Sequence, residues 1–170
     1  MTIRMEVVAM SRILVGFATR HGSTREVAEG IAKVCMASGA QVRLVPVAAM
    51  REPLVDWDLI VLGAPIHWGL WHQDVHRFIR RYEDELGAVP VAVFGIGPRR
   101  DDDEAWQRGR MQLDRALAAH RWLFPVAIGL FGGMDPPGPG HSERRDLRDW
   151  PAINAWARRV LASVEATVYA

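Results

Sequence analysis

Five short apolar runs, most of them followed by a stretch with helical spacing, divide this chain from residue 12 almost to its end. The runs are Ile13–Ala18, Gln41–Pro46, Leu59–Gly63, Pro90–Gly95 and Pro125–Phe131. Continuous hydrophobicity, rather than alternation, marks Ile13–Ala18 as a strand buried on both faces. Between the runs, Thr24–Ser38, Gln73–Leu86 and Glu104–His120 read as helices. A final helix opens at Asp149, its N-cap, and runs to about Ala166. Val47–Val55 reads as a weak helix or a loop, and Gly39 as the glycine that stops the first helix. Strands linked by helices pair in parallel and carry helices on both faces. Right-handed crossovers then leave few topologies. The expected fold is a three-layer α/β domain, a five-stranded parallel sheet in order 2-1-3-4-5. A single domain over residues 12–168, preceded by an N-terminal extension over residues 1–11, accounts for the chain.

Composition removes several function classes. Lys and Arg total 21 against 20 Asp and Glu, a net charge of +1, with the two signs interleaved. A nucleic-acid binder would show a concentrated basic face, so no nucleic-acid partner is expected. The single cysteine, Cys35, rules out an internal disulfide framework and a four-thiolate metal site. It falls on the apolar stripe of the first helix and reads as packed and inert. His72 and His76 stand one helical turn apart with Asp74 between them. No third ligand accompanies them, so no metal is expected. No apolar run approaches the roughly 18 residues of a membrane span, and no secretory leader is evident. The expectation is a cytoplasmic protein with no transmembrane segment.

Ligands of open α/β sheets lie beyond the carboxyl ends of the strands, where the strand order reverses. Three loops meet that description. The first, Thr19-Arg20-His21-Gly22-Ser23-Thr24, is small and hydroxyl-rich and leads into a helix. Free N–H groups and the helix dipole at such a turn suit a phosphate. It lacks the lysine of a nucleotide-triphosphate loop and the three glycines of a dinucleotide loop. The plainer reading is an ordinary turn with Ser23 or Thr24 as N-cap. The second loop, Ala64-Pro65-Ile66-His67-Trp68-Gly69 running on to Trp71, places indoles at the sheet mouth. They either wall a flat ligand or pack on the next helix. Gly69 tolerates a peptide reorientation, and His67 or His72 is placed to donate a hydrogen bond or move a proton. The third loop, Gly95-Ile96-Gly97-Pro98-Arg99-Arg100, offers backbone N–H groups, and the acids of Asp101–Glu104 read as a helix start.

These residues resemble the flavodoxin-domain superfamily, whose phosphate loop has the pattern Thr-x-x-Gly-x-Thr. Within it, the chain is similar to a branch containing quinone-dependent protoporphyrinogen dehydrogenases. The resemblance is carried by Thr19–Ala28, by Leu62-Gly63-Ala64-Pro65-Ile66-His67-Trp68-Gly69, by Phe131-Gly132-Gly133 and by Asp146-Leu147-Arg148-Asp149-Trp150. It implies a flavodoxin-like fold, non-covalent FMN and oxidoreductase activity. The cofactor would be held by Thr19, Arg20, His21, Gly22, Ser23 and Thr24, by Ala64, Pro65, Ile66, His67, Trp68 and Gly69, and by Gly95, Ile96, Gly97, Pro98 and Arg99. An Arg99 guanidinium about 8 Å from the flavin N1 would favour the reduced ring by roughly 2 kcal/mol at an effective dielectric of ~20. For one electron that is roughly 90 mV. The chain departs from the branch over Gly132–Arg148, where a long basic insert is replaced by a shorter stretch containing Pro136-Pro137-Gly138-Pro139-Gly140. That stretch is expected to be structureless, serving as a lid, a dimer contact or a plain excursion.

Three functions follow as expectations. The first is an FMN-dependent oxidoreductase passing electrons to or from a small quinone-like or porphyrinogen-like partner. The second is an electron carrier serving a redox-protein partner, although such carriers are typically acidic and this chain is balanced. The third is a binding domain that keeps the fold without the cofactor. A homodimer is an expected assembly. No catalytic residue is assigned, since flavin chemistry often needs no protein acid or base.

Overall fold

The computed structural model describes residues 10–135 and 145–168. Residues 1–9 of the expected extension and Pro136–Gly140 of the excursion lie outside them. The order of elements is β1 (Arg12–Phe17), α1 (Ser23–Ala37), β2 (Gln41–Pro46), β3 (Leu59–His67), β4 (Leu70–Trp71), α2 (Gln73–Arg81), α3 (Glu83–Leu86), β5 (Val91–Ile96), α4 (Asp103–Ala118), β6 (Ala127–Phe131), β7 (Met134–Asp135), β8 (Arg145–Asp146) and α5 (Trp150–Val168). A one-turn 3-10 helix, Val47–Ala49, follows β2. Strands β2-β1-β3-β5-β6 are parallel neighbours in that order. This is the expected 2-1-3-4-5 arrangement in the count of parallel strands.

The apolar runs become strands because both faces of the sheet are covered. Leu14, Val15, Ile60, Leu62, Ala92, Val93 and Phe94 are wholly buried. Alternate residues join one of two cores. On one face Val15, Phe17 and Phe94 pack with Val27, Ile31 and Cys35 of α1 and Ile153, Trp156 and Val160 of α5. On the other, Leu14, Leu62 and Val93 pack with Val75, Phe78 and Ile79 of α2 and Leu113 of α4. Burial pushes the Cys35 thiol up to about 11, consistent with an inert packed group. Helix α1 ends as its glycine predicts. Gly39 has φ +94°, its N–H donates to the Met36 carbonyl, and the Ala40 N–H reaches back to Cys35.

Four boundaries differ from expectation. Strand β3 does not stop at Gly63. Ala64 and Pro65 pair with Gly95 and Ile96 of β5, and Ile66 and His67 turn back on Trp71 and Leu70 of β4. Pro65 is tolerated because β1 has already ended beside Gly63, so no partner there needs its missing N–H. The expected helix Gln73–Leu86 is broken at Tyr82, which has φ −111° and ψ 31° and whose hydroxyl donates to the Glu52 carbonyl. Strand β6 begins at Ala127, not at Pro125, after the Val126 N–H has donated to the Val91 carbonyl. The foot of the Gly132–Arg148 excursion is structured: β7 and β8 pair antiparallel through Met134–Asp146 and Asp135–Arg145. Arg148 pins this foot to the body. Its guanidinium is almost buried, binds Asp146 and Glu26 of α1, and stacks over Trp150.

Candidate cofactor cleft

The carboxyl ends of β1, β3 and β5 bring the three predicted loops together around one cleft. Its narrow part is lined by Arg20, His21, Ser23 and Thr24 from the first loop, Pro65 to His67 from the second, and Ile96, Gly97 and Arg99 from the third. Ile66, His67, Gly97 and Arg99 continue into a wider part of about 320 Å³. There Trp68, Gly69 and Pro98 face Arg100, Ala105, Arg108, Gly109 and Gln112. A larger hollow of about 760 Å³ lies between α1 and α5, away from the strand ends.

The first loop is pre-shaped. Gly22 takes φ +89°, with open space where a Cβ would stand. Its N–H donates to the Thr19 hydroxyl at 2.9 Å, so Thr19 braces the turn from within. No side chain caps α1, contrary to the plainer reading in which Ser23 or Thr24 does so. Thr24 is instead fully buried, and its hydroxyl has no hydrogen-bond partner among the described residues. A buried hydroxyl left without a partner costs about 1–3 kcal/mol, so such atoms are few and call for a reason.

The second loop is a tight hairpin. Trp68 and Gly69 have φ +52° and +76°, the signs of a two-residue type I′ turn. Asn-Gly or Gly-Gly is usual there. A tryptophan held in the left-handed region and 89% exposed is strained and displayed together. Trp71 is the opposite case, 1% exposed, with its indole N–H donating to the Ala64 carbonyl. Of the two indoles, only Trp68 reaches the cleft.

Several expected site residues stand elsewhere. Ala64 is buried beneath the hairpin, and Gly95 is covered by Ile66 and Leu113. The Gly97 N–H is already given to the Phe131 carbonyl and Pro98 has none, so the amides left to a ligand begin at Arg99. Arg99 forms an ion pair with Asp135 at 3.2 Å and is half exposed. Its field on a bound ring is damped accordingly, and the 90 mV expectation is an upper bound. His72 is a structural cap, its Nδ1 accepting from the Asp74 N–H. His67 does line the cleft. Partial desolvation, then Arg20, Arg99 and His21, hold its pKa below the ordinary histidine value, which leaves it neutral near pH 7.

The face of α4 was not anticipated. Ala105, Gly109 and Gln112 follow the i, i+4, i+7 rhythm that puts residues on one side of a helix. A glycine in mid-helix was the available signal, because it lets the loop at Pro98 and the Leu130 side chain approach closely. Gly133 and Met134 after β6 also border the narrow part.

A family model described as the flavodoxin domain matches residues 14–138 of the sequence. The chain belongs to the flavodoxin-domain family. Among curated relatives, the quinone-type protoporphyrinogen IX dehydrogenase of Escherichia coli K12 is 30% identical over 86 residues, 50% of this chain and 48% of that protein. The chain thus spans about half the length of the curated relatives it matches. Among solved structures, oxidised flavodoxin 2 of Bacillus cereus has a TM-score of 0.63 at 22% identity, covering 90% of this chain and 99% of that one. Rubredoxin oxygen:oxidoreductase of Desulfovibrio gigas has a TM-score of 0.59 at 15% identity, over 94% of this chain and 37% of that one.

Flavodoxin-domain membership brings FMN as cofactor, and the residues present fit it. The unpartnered Thr24 hydroxyl and the uncapped start of α1 are donors suited to a phosphomonoester. Arg20 adds positive charge, and His21 a hydrogen-bonding ring, at the same end of the cleft. The wider part has an indole on its rim and glycines where a ring needs close approach. The chain's role is therefore redox in kind. Among the described residues no helix is long and apolar enough to cross a membrane.

Proposed function

We propose that this chain is an oxidoreductase that holds FMN non-covalently and passes electrons between it and a small planar partner, quinone-like or porphyrinogen-like. The observation that carries the reading is the open, indole-rimmed part of the cleft directly beyond the phosphate-ready loop. Bound FMN supplies hydride and single-electron transfer at its ring. The protein's residues bind, orient and screen. The N–H groups of Ser23 and Thr24 and the Thr24 hydroxyl grip the phosphate, with Thr19 bracing the turn. Ile66, Trp68 and Pro98 enclose the ring. The amide of Gly69 and those from Arg99 onward meet its polar edge. His67, neutral at pH 7, accepts or relays a proton there. The half-length match to the dehydrogenases supports the partner class.

Purified protein loaded with FMN and reduced anaerobically is expected to reoxidise with menadione at least about tenfold faster than free FMN at equal concentration, as pre-orientation alone can supply. A rate equal to that of free FMN overturns the reading. In that case rapid exchange with a redox protein would point to an electron carrier.

Strain at the hairpin gives a second expectation. Trp68→Asn places a residue suited to the left-handed region at the turn, and should stabilise the protein by about 1 kcal/mol. For a chain of this size that raises Tm by roughly 2–4 °C. The same change removes the ring wall and should weaken FMN binding several-fold. Calorimetry and fluorescence titration read the two effects. A variant that gains neither stability nor a higher Kd removes the case for a displayed, strained indole.

A further inference from the structure

One polar cluster has no part in the proposed function. His76 of α2 and His120, just past α4, hydrogen-bond through Nδ1 and Nε2 at 2.7 Å, with rings stacked at a centroid distance of 5.0 Å. His120 is 3% exposed. A contact of this length requires one nitrogen to carry a proton and the other to lack it, so two imidazolium rings are incompatible with it. The pair does not stand alone. The Trp71 ring meets His76 edge-on at 5.7 Å, and Trp71 closes the hairpin by pairing with Ile66 and donating to Ala64. Beyond Trp71 lies the Trp68–Gly69 turn that rims the cleft.

We propose that the neutral His76–His120 pair is a latch that fixes Trp71, and through it the hairpin wall of the cleft, and that acid releases it. The idea rests on the reading of the cleft as the FMN site. The charges acting on the rings are Arg80, one turn along α2, and for His120 also His76. Trp71, from β4, is uncharged. No carboxylate among the described residues pairs with either ring. One proton can be held between the two nitrogens, so release takes a second, which meets the first, the Arg80 guanidinium and little water. Burial first, and then these cations, lower both pKa values. For a base so shifted, the stabilisation is complete above the ordinary value of about 6.5 and fades as pH falls below it.

The test compares FMN affinity at pH 7.5 and 5.5 in the parent and in His120→Gln, which keeps an uncharged hydrogen-bonding group. The phosphate of FMN titrates near pH 6, and His67 lies in the cleft, but both act equally in the two proteins. The parent should lose roughly tenfold more affinity than the variant, the factor one proton supplies per pH unit. Equal losses overturn the latch. Should the variant not fold, the parent alone decides. In the FMN-free protein, the Trp71 indole N–H resonance should shift with the titration of the two imidazoles, and a resonance that stays unmoved while both rings titrate overturns it. Absence of FMN binding at every pH rejects the cofactor reading and leaves the indole titration to judge the latch.

Discussion

Thr24→Val should weaken FMN binding roughly 10- to 100-fold while making the FMN-free protein more stable. The two opposite effects come from one atom. In the free protein the Thr24 hydroxyl is buried without a partner. Replacing it with a methyl of the same shape removes a desolvated polar group and should add about 1 kcal/mol to stability. With FMN bound, the hydroxyl would donate to an anionic phosphate, and a hydrogen bond to a charged group contributes about 1.5–3 kcal/mol. Fluorescence quenching of FMN gives the first quantity and urea unfolding of the FMN-free protein the second. Unchanged affinity would remove Thr24 from the phosphate site. A drop in stability would mean that the hydroxyl has a partner in the free protein after all.

Gly63→Ala should be far more damaging to the fold. A Cβ at this position would lie 1.8 Å from Cζ of Phe94, and 2.2 and 2.3 Å from its two Cε atoms. Phe94 cannot step aside. It is wholly buried and wedged against Phe131 and Trp156, with centroids 6.0 and 6.1 Å away. Overpacking of a rigid core costs typically 1–3 kcal/mol and sometimes more. With backbone on one side and three aromatic rings on the other, the loss should be about 3 kcal/mol or greater. The urea midpoint would then fall by roughly 1–2 M. A midpoint within the scatter of the parent would show that Phe94 has room the packing does not reveal.

Such features differ in how far the sequence discloses them. The parallel sheet was legible because a strand covered on both faces must be apolar along its whole length, as Ile13 to Phe17 and Val91 to Ile96 are. The first loop was legible because its composition and its place between strand and helix impose the same geometry. The β3–β4 hairpin was not. Trp68-Gly69 is not a usual type I′ pair, and its conformation is imposed by Trp71 burying itself beneath Ala64, a contact seven residues apart that no local pattern displays. The wall supplied by α4 was hidden for a related reason, since Gly69 comes to Gln112 and Pro98 to Gly109 only when the hairpin and the third loop have folded. The Arg99–Asp135 pair also needed the fold, because its partners come from separate loops. The histidine pair joins residues 44 apart.

The anchoring of β7 and β8 has an evolutionary corollary. Leu147 donates to the Gly133 carbonyl, Asp146 pairs with Met134, and Arg148 ties the returning strand to Glu26 in the first turn of α1. These fastenings close a socket at residues 134–135 and 145–148. A lineage could therefore exchange residues 136–144 for another segment while both ends of that segment stay fastened to the same frame.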